Sequence, residues 1–149
     1  MNRKRILYIT FDGILQPLGK SQIIPYLQKL SSDYDIHIYS FERKIKKEEK
    51  EELYNYFDRY KIKWKIFHLN NLTLINILKF AFLLINLPFY VFYKKINIIH
   101  CRSYIPGLMG LYLKKIINTE YIFDIRGFWP DEKIEGNYWK KNSYKYKFF

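Results

Sequence analysis

The sequence predicts an α/β fold, a doubly wound parallel sheet of Rossmann-like type. Three observations lead there. Short runs of β-formers alternate with segments of helical period from the first residues to Asp124. The first run, "RILYITF" (Arg5–Phe11), is continuously apolar, as a strand buried on both faces should be. Finally, the 149 residues contain no internal repeat and no long linker, which suits one domain with a sizeable core.

The elements follow in order. After the first strand, "SQIIPYLQKL" sets Ile23, Leu27 and Leu30 at helical spacing, with Pro25 near the first turn, where a missing N–H costs least. "YDIHIYSFE" reads as the second strand. "KIKKEEKEELYNYFDRY" reads as a helix with mixed charge outside and Leu53, Phe57 and Tyr60 inside; its charge run is most simply a solvated face. "IKWKIFHL" alternates as a strand nearer a sheet edge. "NIIHC" is a short strand, "YIPGLMGLYLKKI" a helix, and "YIFDI" a fifth, buried strand.

Leu72–Tyr93, "LTLINILKFAFLLINLPFYVFY", matches a bilayer span by count, and Lys79 is its only charge. Lys79, Asn76, Asn86 and Pro88 speak against a span. So does topology, because a span would put strands Ile62–Leu69 and Ile98–Cys101 on opposite sides of a membrane. The expectation is a helix packed on the sheet with one apolar face available to lipid; a transmembrane helix is the lesser reading.

Nearly half the residues are apolar and a fifth aromatic, so disorder is not expected. The net charge of +12 invites nucleic acid, anionic lipid or a phosphorylated ligand. Its weight is reduced because 20 of the 26 basic residues are Lys, and Ile, Asn and Tyr are abundant too, as an AT-rich coding sequence produces. No RNP, KH or zinc-finger pattern occurs, so no nucleic-acid partner is expected. The single Cys101 suits a reducing compartment and reads as a small core residue. His37, His68 and His100 form no pair at metal-ligand spacing, and no metal site is expected. Met1–Arg5 followed by "ILYITF" resembles a signal peptide superficially. The run is too short, and Asp12 follows without a cleavage site, so it reads as a first strand with a basic edge.

Ligands of such sheets gather beyond the carboxyl ends of the strands, here the loops Asp12–Ser21, Phe41–Lys44, Arg102–Gly107 and Arg126–Gly136. In "FDGILQPLGKSQ", Gly13 and Gly19 permit tight turns and close approach, while Lys20 and Ser21 sit at a helix entrance whose N–H groups and dipole favour an anion. The spacing is neither GxGxxG nor a Walker loop, and a structural turn with Ser21 as helix cap explains it equally well. In "HCRSYIPG", Arg102 and Ser103 lie just past the fourth strand. Arg102 either holds a carboxylate or phosphate in bidentate fashion or pairs with an acid of the last loop.

"FDIRGFWPDEKIEG" carries the most chemistry. Asp124 ends an apolar strand, so it must be solvated at a cleft or paired. Arg126 points the same way in an extended chain. Phe128 and Trp129 offer a packing platform, and Asp131, Glu132 and Glu135 accept hydrogen bonds from sugar hydroxyls or pair with lysines. A salt-bridged, aromatic-pinned loop without chemistry competes with that reading.

Three passages, "FDGILQPLGKSQIIPYLQKL", "IIHCRSYIPGLMGLYLKK" and "FDIRGFWPDEKIEGNYW", together resemble the amino-terminal domain of glycosyltransferase family 4-like enzymes of the GT-B fold. The pattern D-x-R-G-x-W-x-D-E is the most specific part, and the middle region matches only in strand–helix rhythm. The likeness implies residues 1–139 as that domain and 140–149 as the truncated start of a linking helix. It implies two Rossmann-like domains facing across a cleft, the amino-terminal one receiving the acceptor and the other a nucleotide-sugar. That nucleotide-sugar is a co-substrate, and no cofactor is implied.

The implied chemistry is that of a retaining, hexosyltransferase-type enzyme, usually without a bound metal. Asp124 and Arg126 stand where many relatives carry a histidine facing the transferred sugar, and make the catalytic pair, with Asp124 better suited to orienting a sugar hydroxyl. The substrate-binding set is Gly13, Gly19, Lys20, Ser21, Arg102, Ser103, Trp129, Asp131 and Glu132. Lys20, Arg102 and Arg126 are the candidates for stabilising a departing phosphate.

The family's donor domain, with its paired glutamates, is absent from these residues, so the resemblance requires a donor-binding domain or a separate donor-half chain as partner. Truncated gene product and natural split subunit are both consistent with that, and little or no turnover is expected of the chain alone. The implied acceptor is a glycan or a lipid-linked molecule of cell-surface polysaccharide or glycolipid synthesis. The expected place is the cytoplasm at the membrane's inner face, and the expected further partner is an anionic membrane in peripheral contact. The alternative is a non-catalytic module that docks on a membrane or a partner glycosyltransferase.

Overall fold

The apolar run near the start of the chain becomes the central strand. β1 (Arg5–Thr10) sends Ile6 and Tyr8 into one helical layer and Leu7 and Ile9 into the other, so both its faces are covered. The computed structural model describes residues 3–43, 45–69, 73–125 and 127–144. β1 lies between β2 (Asp35–Glu42) and β4 (Ile98–Arg102); beyond them stand β3 (Lys63–His68) and β5 (Glu120–Asp124). All pairings are parallel, in the order β3-β2-β1-β4-β5. The direction of winding reverses between β1 and β4, so the carboxyl ends of those two strands frame the crevice where ligands of such sheets collect.

One layer holds a helical segment that begins with a π turn at Gly19–Ile23 and runs on as α1 (Ile24–Leu30), together with α2 (Lys47–Arg59). Ile23, Leu27, Leu53 and Phe57 bury its apolar face against Ile6, Tyr8, Ile36, Ile38 and Trp64. The opposite layer holds α3 (Thr73–Tyr93) and α4 (Tyr104–Ile117), which pack Leu83, Leu87, Val91, Met109 and Leu113 on Leu7, Ile9, Tyr39, Ile99 and Cys101. α5 (Trp129–Glu135) follows β5. The strand–helix alternation therefore gives the expected doubly wound sheet.

β3 is an edge strand, with Trp64 buried between exposed Lys63 and Lys65, as its alternation implied. α3 connects β3 to β4 and lies on the sheet, although Leu74–Tyr93 is long and apolar enough to cross a membrane. Tyr90 ties it down, its hydroxyl 2.6 Å from Nδ1 of the buried His37 on β2. Cys101 is buried, and desolvation pushes its thiol up to about 12, which leaves it unreactive.

One expectation needs correction. "YIFDI" has the apolar content of a buried strand, yet β5 is the second edge and Ile122 is 46% exposed. Tyr121 packs beneath α4 and donates its hydroxyl hydrogen bond to the Gly107 carbonyl at 2.7 Å. An apolar run records that a strand meets a core, not how many neighbours it has.

Candidate functional site

The crevice is built first by the chain bending off the end of β1. Asp12 N–H donates to Thr10 Oγ1 at 3.1 Å, a local turn that draws the backbone out of the sheet. The Gly13 carbonyl then accepts from Gln16 N–H at 3.1 Å. Glu42, buried at the end of β2, holds the bend from the side, its Oε1 accepting from Ile14 N–H at 2.7 Å. Burial raises the Glu42 carboxyl above its ordinary range, and the Ile14 hydrogen bond opposes that rise.

Both glycines of this loop answer to close approach. Neither has a positive φ. A Cβ at Gly13 would stand 2.6 Å from Glu42 Oε2, and one at Gly19 would stand 2.4 Å from the carbonyl oxygens of Gly13 and Ile14. The loop thus folds back onto the π turn, in which Ile24 N–H reaches the Gly19 carbonyl. π turns of this kind are frequent at functional sites.

Arg102, the last residue of β4, ties the crevice together. Its Nε lies 3.5 Å from Asp12 Oδ2, its Nη1 donates to Asp124 Oδ2 at 3.2 Å, and its Nη2 donates to Gln22 Oε1 at 2.6 Å. The guanidinium side chain is only 13% exposed, whereas the Asp124 side chain keeps 34% of its surface open. β1, β4, β5 and the π turn are therefore joined through a single cation. Beneath it sit Tyr8, His100 and Tyr26, the first two edge to face at 4.9 Å. Burial lowers the His100 pKa, while Asp124 partly counters it, which favours the neutral imidazole. Burial likewise raises the Tyr8 phenol well above its ordinary value, with Arg102 opposing.

The β4–α4 turn adds a strained backbone. Ser103 has φ 77° and ψ 166°, a region that only glycine occupies comfortably. Its N–H donates to the Asp124 carbonyl at 3.0 Å, and its own carbonyl accepts from Gly107 N–H at 2.9 Å. The Tyr104 hydroxyl donates to the Gly127 carbonyl at 3.2 Å, drawing the last loop toward α4.

Three adjoining cavities open here. One of about 260 Å³ is lined by Asp12, Ser103, Tyr104, Gly127 and Glu132. A second, about 410 Å³, involves Asp12, Gly13, Gln16, Glu42 and Arg43. The third, about 430 Å³, is almost wholly apolar, walled by Phe41, Phe67, Leu69, Ile77 and Phe80 with Lys79 at its rim. Phe11 lines all three.

The residues singled out from sequence divide accordingly. Gly13, Arg102, Ser103, Asp124 and Glu132 stand at the crevice, and Gly19 braces its wall. The Glu132 carboxylate lies over Gly127, where an added Cβ would meet Oε1 at 2.7 Å. Asp131 is exposed in the first turn of α5.

Lys20 pairs with Glu49 of α2 at 3.3 Å, and neither it nor Ser21 lines these cavities. Ser21 is not a helix cap. It lies inside the π turn, and its hydroxyl turns back to the Leu18 carbonyl at 3.5 Å. Arg102 pairs with acids, but with those ending β5 and following β1 rather than with the last loop. Arg126 and the side chain of Trp129 lie outside the described residues. Asp12, Gln22, Glu42 and Tyr104 were not anticipated. Asp12 and Glu42 carry the same signal that flagged Asp124, an acid closing an apolar strand.

No protein-family model matches the sequence, and no curated protein matches it. Among solved structures, a glycosyltransferase from Rickettsia africae ESF-5 is similar, with a TM-score of 0.54 and 16% identity. The match covers 89% of this chain and 34% of that one, so the chain spans about a third of the length of its structural relative. At this identity the likeness is one of fold, a five-stranded Rossmann-like sheet.

Proposed function

We propose that the chain is the acceptor-binding half of a retaining sugar transferase of the GT-B, family 4 kind, and that the β1–β4 crevice receives the acceptor's hydroxyls. The observation that carries this reading is Arg102 held between Asp12 and Asp124 at the switch point. A guanidinium facing two carboxylates is locally overcompensated, so an incoming phosphate meets net negative charge there. Sugar hydroxyls, which donate hydrogen bonds, suit it better. Asp124, braced by Arg102 yet one third open, is the residue to orient them.

The donor-binding half, whether in the same polypeptide or another, brings the nucleotide-sugar. The acceptor oxygen then forms its bond to the anomeric carbon as the bond to the nucleoside diphosphate breaks. The hydroxyl proton passes to the departing diphosphate, and fixed dipoles and cations facing that diphosphate lower the barrier. From the sequence, Arg126 is the candidate that this chain contributes. The apolar cavity shares Phe11 with the polar ones, which favours a lipid-linked acceptor over a free glycan.

The test combines the chain with a donor-binding half, a panel of labelled nucleotide-sugars and a lipid extract as acceptor. Transfer is expected, and Asp124→Ala should reduce it about 100-fold while circular dichroism is unchanged. Unaltered transfer by that variant rejects the assignment. The second reading, a non-catalytic docking module, is favoured by the pairing of Arg102 with the chain's own Gln22, Asp12 and Asp124. It requires association with the partner without any dependence of transfer on Asp124.

A further inference from the structure

α3 is apolar on both sides. Leu83, Leu87 and Val91 meet the sheet, while Leu74, Leu78, Phe82, Ile85, Phe89 and Phe92 recur at steps of three and four on the opposite side and are exposed. Phe89 and Phe92 are 72% and 79% exposed. α4 packs beside α3 on the same face and adds exposed Leu108, Tyr112 and Ile116, again at helical spacing. Exposed apolar side chains gathered on two neighbouring helices mark an interaction site.

The charge pattern identifies the partner. All 14 acidic residues lie outside residues 70–119, the stretch that forms α3, β4 and α4. The same stretch holds Lys79, Lys94, Lys95, Lys114 and Lys115 as well as Arg102. Both helices run antiparallel to the strands they join, so the lysine pairs just after α3 and within the last turn of α4 fall at one end of the surface. Aromatic and aliphatic side chains flanked mainly by lysines, with Glu120 just past α4 already paired to Lys4 at 3.6 Å, complement an anionic bilayer. A cationic protein partner finds little anionic counterpart here, since α3 and α4 carry no acid and Glu120 is engaged by Lys4. The inner side of α3 is committed to the core, so insertion across a bilayer would strip Leu83, Leu87 and Val91 from the sheet.

We propose that the outer face of α3 and α4 docks on an anionic lipid bilayer, with α3 lying in the plane of the interface. This surface is independent of sugar transfer, and its test needs none. The 149-residue chain is floated with phosphatidylcholine vesicles with and without phosphatidylglycerol. Flotation is expected with the anionic vesicles and is reduced by salt. Phe82→Glu/Phe89→Glu should abolish it while leaving the melting temperature and circular dichroism unchanged, because both side chains are already exposed. Single alanine substitutions at Lys94, Lys95, Lys114 or Lys115 should each weaken binding about fivefold.

Protection of α3 and α4 amides from hydrogen exchange on vesicles checks the same face in the unmodified chain. Absence of flotation overturns the proposal. So does carbonate-resistant insertion, which indicates a span, or a concentration-dependent dimer lost in the Phe82/Phe89 variant, which indicates a second copy as occupant.

Discussion

Both helical layers bury the same kind of surface against the sheet, Ile23, Leu27, Leu53 and Phe57 on one side and Leu83, Leu87, Val91, Met109 and Leu113 on the other. Their outer sides differ. α2 turns Glu48, Glu49, Glu51 and Glu52 outward among lysines, an ordinary solvated face. α3 turns Phe82, Ile85, Phe89 and Phe92 outward, with no acid anywhere along α3 or α4. Within one helix, then, inner apolar residues hold the fold while outer ones are free to meet a partner. Stability and association should therefore separate cleanly under mutation.

The sharpest check of that separation lies within α3 itself. Leu87→Ala, at a site 1% exposed, should cost about 4 kcal/mol in urea unfolding. Phe89→Ala, two residues on and 72% exposed, should stay within about 0.5 kcal/mol. Comparable costs would mean that the outer side also belongs to a folding core.

In the other layer, Gly19→Ala should cost about 3 kcal/mol, because its Cβ meets backbone oxygens that have no side chain to move aside. A near-neutral result would place the loop further from the π turn than it stands here.

His37 offers a pH-dependent contrast between the layers. It sits under α3, bonded to Tyr90, and burial holds its pKa down to about 4, with Lys63, Arg5 and Lys94 adding repulsion. The unfolded imidazole takes a proton near pH 6.5, which the native one refuses until about 4. The unfolded state therefore binds the extra proton in this window. Its stabilisation is complete above about pH 6.5 and is lost as pH falls toward 4, by on the order of 3 kcal/mol. His37→Asn should flatten that part of the profile in paired urea titrations, and an unchanged profile would break the assignment.

A small effect of opposite sign belongs to Ser103→Gly. Relief of its positive φ should stabilise the chain by about 1 kcal/mol, read as a shift in the urea midpoint.

Much of this was legible in the residues themselves. The continuous apolar run of β1, the charge-striped α2 and the alternation of β3 each encode how many faces are buried. Residues 73–93 were legible as a packed helix because parallel strands on either side must share a sheet. The position of β5 was not, since apolar content does not count neighbours.

At the site, burial cost singled out Asp124 but had equal force for Asp12 and Glu42, and applying it to every acid at a strand end would have found all three. Gln22 was beyond reach. Its bond to Arg102 joins residues 80 apart, and nothing local to either announces it. Lys20 looked like an anion ligand because its helix entrance is local, whereas its partner Glu49 is not.

The most direct measurement of the crevice as an acceptor site is an amide-resolved NMR titration of the isotopically labelled chain with octyl glucoside below its micelle concentration. The largest shifts should fall on Asp12, Gly13, Ser103, Asp124 and Gly127, and Asp124→Ala should remove them while leaving the rest of the spectrum in place. Shifts confined to the outer side of α3, or crevice shifts that survive that substitution, would contradict it.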